Sequence, residues 1–252
     1  QIKKDFKKKI KPMEIKNIDK NYSDKNAVNG INFSVSDNEI VGLLGPNGCG
    51  KTTTIAIMLG LLRASSGQVF IKGKDIEKNR IELLHKMNFI SPYIELPKKL
   101  TVKENLIVYA RLYNVNKLND RIDYLVETLN LKNFINQKTG ELSSGQKNRV
   151  SLAKSLINNP SVLLLDEPTA SLDPETGNFI RSFFEDYIKQ KKISILLASH
   201  NMEEVKRLCT SVMMMKNGKI IDRGAPSELI KKHGRKNLEE VFLKLARTEH
   251  EF

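Results

Sequence analysis

The chain has 252 residues, 40% of them hydrophobic and 28% charged, with a formal net charge of +13. That size and balance describe a globular protein with a large core, not a disordered chain. No apolar run approaches the roughly 18 residues of a membrane-spanning helix, and two isolated cysteines, Cys49 and Cys209, exclude a disulfide scaffold or a cysteine-ligated metal and suit a reducing compartment.

Residues 1–12 hold six lysines against Asp5 and read as a basic flexible extension, with no apolar stretch behind them to make a signal peptide. Strands are expected at Met13–Tyr22 and 31–35, where polar and apolar residues alternate, with turn chemistry at Ser36, Asp37 and Asn38. Residues 39–44 read as a buried strand. Directly after it come Gly45, Pro46, Asn47, Gly48, Cys49, Gly50, Lys51 and Thr52, matching every fixed position of G-x-x-x-x-G-K-[ST]. Thr53 continues into an apolar stretch, 52–62, that reads as a helix. Strand, glycine-rich turn and helix in that order are what phosphate binding requires. The glycines let backbone N–H groups approach oxygen closely, and the helix N-terminus adds partial positive charge. Lys51 is placed to reach the β- and γ-phosphates, and the Thr52 hydroxyl to ligate Mg²⁺.

Beyond the loop, 67–75 is strand-like around Gly73, and 101–131 is mostly helical, opened by Thr101 with Glu104 as a capping box. Residues 143–156 read as a further helix, so 92–155 looks like a helical insertion. Leu142, Ser143, Ser144, Gly145 and Gln146 open that helix; a Ser-Ser-Gly start is an anion site or, taken alone, an ordinary N-cap. Short apolar runs at 162–165 and 193–198 fit buried parallel strands. The first ends in Asp166 and Glu167. Beside a phosphate loop Asp166 joins the Mg²⁺ shell and Glu167 orients or deprotonates the attacking water. Taken alone, the pair reads equally as an acidic strand end that caps the next turn. Strands at 211–215 and 219–222 flank Asn217-Gly218, a hairpin signal, and 226–247 is charged and helical. A second basic cluster, Lys231, Lys232, His233, Arg235 and Lys236, opens a tail at 231–252. Such charge blocks are mostly solvated; an anionic membrane surface or nucleic acid are the other readings. Strands alternating with helices around the loop give an α/β domain with a largely parallel sheet.

With these motifs in this order, the chain from Met13 to Arg247 resembles the nucleotide-binding subunits of the ATP-binding cassette (ABC) transporter family. The resemblance implies a P-loop NTPase fold over 13–230, with an N-terminal antiparallel β subdomain and the helical subdomain at about 92–155. It makes 45–52 the Walker A loop, Ser143, Ser144, Gly145 and Gln146 the family signature, and 162–167 Walker B. Asp173, after Ser171 and Leu172, is similar to the D-loop, and His200 to the switch histidine. Tyr22 stands where the family places an aromatic against adenine. Taken singly, His200 is more often a satisfied histidine at a strand end and Tyr22 a packing residue.

The implied activity is Mg²⁺-dependent ATP hydrolysis coupled to transport. Two subunits, identical or close paralogues, meet head to tail with each ATP between Walker A of one and Ser143–Gln146 of the other. The pair works on a separate integral-membrane permease, contacted near residues 90–110, from the cytoplasmic face as a peripheral protein. Residues 100–115 and 238–247 resemble the branch that serves permeases exporting drugs, lipids or polysaccharides. No specific nucleic-acid partner is expected. The other readings within the resemblance are a non-transport ATPase acting on nucleic acid or ribosomes, and a catalytically weak regulatory cassette. Two departures stand out. Ser144 replaces the commonest glycine of the signature, a small change. The family's Q-loop glutamine is missing, since no Gln occurs between Gln68 and Gln137. Ser91 and Glu95 are the polar candidates to replace it, and spacing does not choose between them.

Overall fold

The computed structural model describes residues 10–23, 25–91, 94–170 and 172–247. Most of the N-terminal lysines, Pro92, Tyr93, Ser171 and 248–252 lie outside the described residues. Two sheets stack around the phosphate loop. The first is antiparallel, in the order β2 (Lys25–Val35), β1 (Met13–Tyr22), β4 (Ser66–Ile71), β5 (Lys74–Asp75). The second runs β10 (Lys219–Gly224), β9 (Ser211–Lys216), β3 (Ile40–Leu44), β8 (Ser194–Ser199), β7 (Val162–Asp166), β6 (Met87–Ile90). Every pairing from β9 to β6 is parallel, and only β10 returns antiparallel.

The continuous apolar runs of the parallel strands follow from burial on both faces. Val41, Leu43, Val162, Leu164, Leu196, Ala198 and Met213 pack with α1 (Lys51–Met58) and the antiparallel sheet. Their neighbours Leu44, Leu163, Leu165, Ile195, Leu197 and Met214 face the helical side. That side holds α3 (Val102–Leu112), α4 (Leu118–Thr128), α5 (Ser144–Leu156), α6 (Pro174–Gln190), α7 (Met202–Leu208), α8 (Pro226–His233) and α9 (Leu238–Arg247). A short α2 (Arg80–Leu84) precedes β6. Because strand side chains alternate faces, Asp166 falls on the side of Val162 and Leu164, the side that α1 covers. Parallel strands also bring the ends of β3, β6, β7 and β8 to one edge, where ligands of open α/β sheets bind.

Several boundaries differ from the sequence reading. The helix after the phosphate loop stops at Met58, not Leu62. Gly60 turns left-handed, and the Leu61 and Gly60 N–H groups bond back to Ala56 and Ile57, a Schellman stop. The run at 67–75 is a hairpin, split at Lys72 and Gly73. The stretch at 101–131 is two helices, broken where Asn114 and Lys117 adopt positive φ, and 226–247 is two helices parted at Gly234 (φ 60°). Ahead of Met13, Lys11 already donates to Ser34 and the Pro12 carbonyl accepts from Lys72. The hairpin at Asn217 and Gly218 has φ of 47° and 76°, as its residues demand. The 17-residue α6, longest of the described helices, has no counterpart in the sequence reading, although Asp173 as N-cap and Pro174 at the first position announce it.

Candidate functional site

The phosphate loop is built from the strand upward. β3 delivers the chain to Gly45, and α1 starts at Lys51 with Gly50 as its N-cap at φ 111°. That angle belongs to glycine. A Cβ there would also stand 2.4 Å from the Ala27 carbonyl oxygen of β2. The loop is then tied to both sheets, since the Gly218 N–H donates to the Cys49 carbonyl (3.0 Å) and the Asn29 N–H to the Gly218 carbonyl (2.8 Å). Among the described residues no side chain caps α1, which leaves this N-terminus open to an anion. Lys51 is 6% exposed and folds back, its Nζ donating to the carbonyls of Gly45 (2.7 Å) and Pro46 (3.3 Å). The Cys49 thiol is pushed up by burial, with Lys51 opposing, so it stays protonated and inert.

Thr52 Oγ1 donates to Asp166 Oδ2 at 2.9 Å, joining Walker A to the end of β7. Burial raises the Asp166 carboxyl, against the Thr52 hydrogen bond, with Glu167 adding a smaller upward push and Lys51 a smaller downward one. A cation would reverse that balance. The donors are two hard oxygens, and Mg²⁺ is held by one or two protein groups with phosphates and water completing its shell. Among the described residues no group of three His, Cys, Asp or Glu cages an ion, and this metal needs none.

Glu167 sits at φ 51°, a left-handed angle that costs a non-glycine residue on the order of 1–2 kcal/mol. The kink turns its carboxylate out of the sheet alternation and toward β8, whose Ala198 carbonyl accepts the Glu167 N–H at 2.8 Å. Its Oε2 meets His200 twice, at the ring Nδ1 (2.8 Å) and the backbone N–H (3.3 Å). Strain of this kind collects at functional positions. Tyr22, 46% exposed, stands at the end of β1 with Lys20 Nζ 5.1 Å from its ring centroid. The β1–β2 hairpin carries it near the loop, since Ala27 of β2 backs Gly50.

The signature residues are arranged differently. Ser143 caps α5 and is itself closed by a capping box, its Oγ accepting from the Gln146 N–H (3.3 Å) and its N–H donating to Gln146 Oε1 (2.9 Å). Ser143 and Ser144 are exposed and Gly145 buried. One residue turn on, Asn148 Nδ2 donates to the Pro168 carbonyl (3.0 Å), fixing α5 to the turn after Glu167. A groove of about 340 Å³ between them is lined by Ser91, Glu95, Ser144, Asn148 and Glu167, but by no residue of 45–52. Asp173 caps α6, accepting from the Thr176 N–H, which holds its carboxyl low. Of the two replacements for the absent glutamine, Glu95 is ion-paired to Lys98 (2.7 Å) at the surface, whereas Ser91 directly follows Ile90, the register partner of Leu165. Ser91 therefore leaves β6 level with Asp166.

Sequence reading did not single out Ser199, Asn201 and Glu204, which hold the loop around His200. Asn201 Oδ1 accepts from the N–H groups of Glu203 and Glu204; an Asn with two acids in the first turn after it and Lys206 and Arg207 in the last is a helix-start signal that could have found it.

A P-loop nucleoside triphosphatase is the class this loop, carboxylate pair and sheet define. More narrowly, the sequence model of the family described as "ABC transporter" matches residues 28–170, and the chain belongs to that family. Nod factor export ATP-binding protein I of Burkholderia orbicola (strain AU 1054) is 37% identical over 223 residues, covering 88% of this chain and 73% of the relative. ABC transporter A family member 11 of Dictyostelium discoideum is 38% identical over 219 residues, 85% of this chain but 26% of that longer protein. Among solved structures, an ATP-binding subunit of an ABC transporter superposes with a TM-score of 0.86 at 24% identity, covering 93% of this chain and 99% of the other, a likeness of fold. A dimeric ATP-binding cassette in a post-hydrolysis state, bound to ADP and Pi, gives 0.77 at 25% identity over 84% and 98%. The cbiO1 protein of Clostridium perfringens, part of the cbiONQ transporter complex, gives 0.78 at 30% over 95% and 98%. The protein is an ATP-binding, ATP-hydrolysing subunit of an ABC transporter. Tyr22, Asp173 and His200 lie outside the matched span.

Proposed function

We propose that two of these subunits, identical or paralogous, clamp ATP head to tail and drive a separate membrane permease, in the direction of export. The observation that carries the reading is the unequal finish of the two helix N-termini. The open end of α1, with Gly45, Pro46, Asn47, Gly48, Cys49, Gly50, Lys51, Thr52 and Thr53 around it, covers one side of the triphosphate. Ser143 and Ser144 are offered outward, with Gln146 closing the cap and Gly145 packed behind them, to the other side of a nucleotide held by a partner. Lys51 exchanges its two carbonyls for β- and γ-phosphate oxygens. Thr52 and Asp166 would hold Mg²⁺, which would supply charge neutralisation for the phosphates. Glu167 accepts the proton of the attacking water. With Nδ1 committed to Glu167, His200 has Nε2 left for the γ-phosphate, and Tyr22 stacks on the base. Asp173 meets the partner across the pair.

No helix among the described residues is long and apolar enough to cross a membrane. In the proposed arrangement a separate permease forms the pathway, and this subunit works peripherally at the cytoplasmic face. Export follows the relatives that carry that word in their names. Residues 1–12 and 231–252 are read as a basic extension and tail flanking the cassette, with the helical subdomain at about 92–155.

Glu167→Gln tests the reading. Steady-state hydrolysis should fall by roughly 10²–10⁴-fold, the range for lost general-base assistance, while ATP binding persists and light scattering shows an ATP-dependent dimer. Ser143→Arg in that background should abolish the dimer and spare monomer binding. Near-normal turnover rejects Glu167 as the base, and a dimer that survives Ser143→Arg rejects the head-to-tail clamp.

A further inference from the structure

Among the described residues the deepest acidic side chain is Glu204 of α7, 1% exposed. A carboxylate at that depth is costly unless something is gained from it. Its Oε2 accepts from Ser199 Oγ at 2.7 Å. That hydroxyl has a single proton, and its oxygen accepts in turn from the Asn201 N–H at 3.0 Å. Ser199 and Asn201 are the two neighbours of His200. The bend that presents the His200 N–H and ring to Glu167 Oε2 is thus pinned on both sides by one hydroxyl, and that hydroxyl is held by Glu204. Burial pushes the Glu204 carboxyl up, with Ser199, Thr169 and Arg181 of α6 opposing. Glu204 Oε1 and Arg181 Nε are buried, each without a hydrogen-bond partner among the described residues.

We propose that Glu204 is a positioning residue of the hydrolytic site. Through Ser199 it fixes His200 against Glu167. A carboxylate is suited to this, because its oxygens only accept and so hold the Ser199 proton in one direction. Glutamine weakens that hold, because a neutral amide oxygen is a poorer acceptor than a carboxylate and its NH₂ can turn toward Ser199 instead. The inference rests on the proposed role of Glu167, and the experiment separates the two.

Glu204→Gln should lower kcat about tenfold, the scale of a sub-ångström misplacement of a catalytic group, with KM for ATP within twofold of wild type. In protein labelled at its four histidines, the ring nitrogen resonances of His200 should shift while those of His85 and His233 stay in place. Glu204→Asp should recover part of kcat. If Glu204→Gln does not fold, Ser199→Ala breaks the same contact from the other end and should reproduce both effects. An unmoved His200 resonance, or a loss carried by KM instead of kcat, overturns the inference and leaves Glu204 a clip for α7. Near-normal turnover in Glu167→Gln sinks the base assignment alone, because the His200 resonance reads the Glu204 contact whatever Glu167 does.

Discussion

In the proposed clamp two helix N-termini meet the phosphates, and they are finished in opposite ways. At α1 the chain supplies a left-handed glycine, no capping side chain, and a lysine parked on backbone carbonyls. At α5 it supplies a complete capping box, with Ser143 and Gln146 satisfying one another. The first end is unfinished without a ligand, and the second is stable without one. The surroundings differ in the same sense. The phosphate loop is bonded to both sheets through Cys49, Gly218 and Asn29, whereas α5 begins at the surface and is anchored further down its length. A site split in this way can hold nucleotide in one chain and close only when a second arrives, so binding and closure are separable steps.

The largest break in that contrast is Lys51→Ala. Lys51 is a buried cation whose side chain donates, among the described residues, to two carbonyls of its own loop, and in the proposed function its charge is directed at phosphate. Losing a desolvated charge pair of this kind costs on the order of 2–5 kcal/mol, which is a rise in the dissociation constant of about 30-fold or more. Titration with a fluorescent ATP analogue measures it, and unchanged affinity would mean that the open end of α1 does the binding alone.

Gly50→Ala probes how the loop is embedded. The new methyl would meet the Ala27 carbonyl at 2.4 Å with φ held at 111°. Backbone strain and overpacking together should cost about 4 kcal/mol, read as a fall in thermal midpoint of roughly 10 °C for a chain of this size. Gly48→Ala is the control, because at φ 78° its methyl meets nothing within 4 Å. Its loss should stay near the 1–2 kcal/mol of the backbone angle. Equal losses would show that the antiparallel sheet does not buttress the loop.

These two positions also show how far a single chain can be read. The phosphate loop, Asp166, Glu167 and the α5 cap were legible because each is a short run whose spacing carries its own chemistry. The parallel strands were legible because burial on both faces leaves unbroken apolar runs. What escaped depends on three-dimensional neighbours. The ladder of β6 beside β7 is hidden in Met87, Asn88 and Phe89, which have no alternation of their own. The network of Ser199, Asn201 and Glu204 joins residues whose polarity looks like surface until α6 and the Walker B turn cover them. Helix ends at Gly60 and Gly234 were set by left-handed glycines inside stretches whose composition still favours helix.

The anchored end of α5 gives the smallest and most specific test. Lys154 lies eight residues past Gln146, nearly buried, with its Nζ 5.0 Å from the Phe89 ring of β6 and 5.3 Å from the Tyr109 ring of α3. Burial lowers its pKa from 10.5 to about 8. The sign of the linkage follows. Below about pH 8 both folded and unfolded chains hold the proton, and the folded one does so at a cost. Between about 8 and 10.5 the folded chain has released it while the unfolded chain still binds it, so unfolding takes up a proton and stability rises with pH. Lys154→Met has no such proton. The stability of wild type relative to that variant should therefore improve by about 1.5 kcal/mol from pH 8 to 9.5, measured by urea unfolding at each pH. A difference flat across that range would place the ammonium in water, and with it the clamp that ties the signature helix to β6. The same variant should leave ATP affinity of the single chain unchanged, since Lys51 and the open end of α1 lie on the other, independently embedded half of the site.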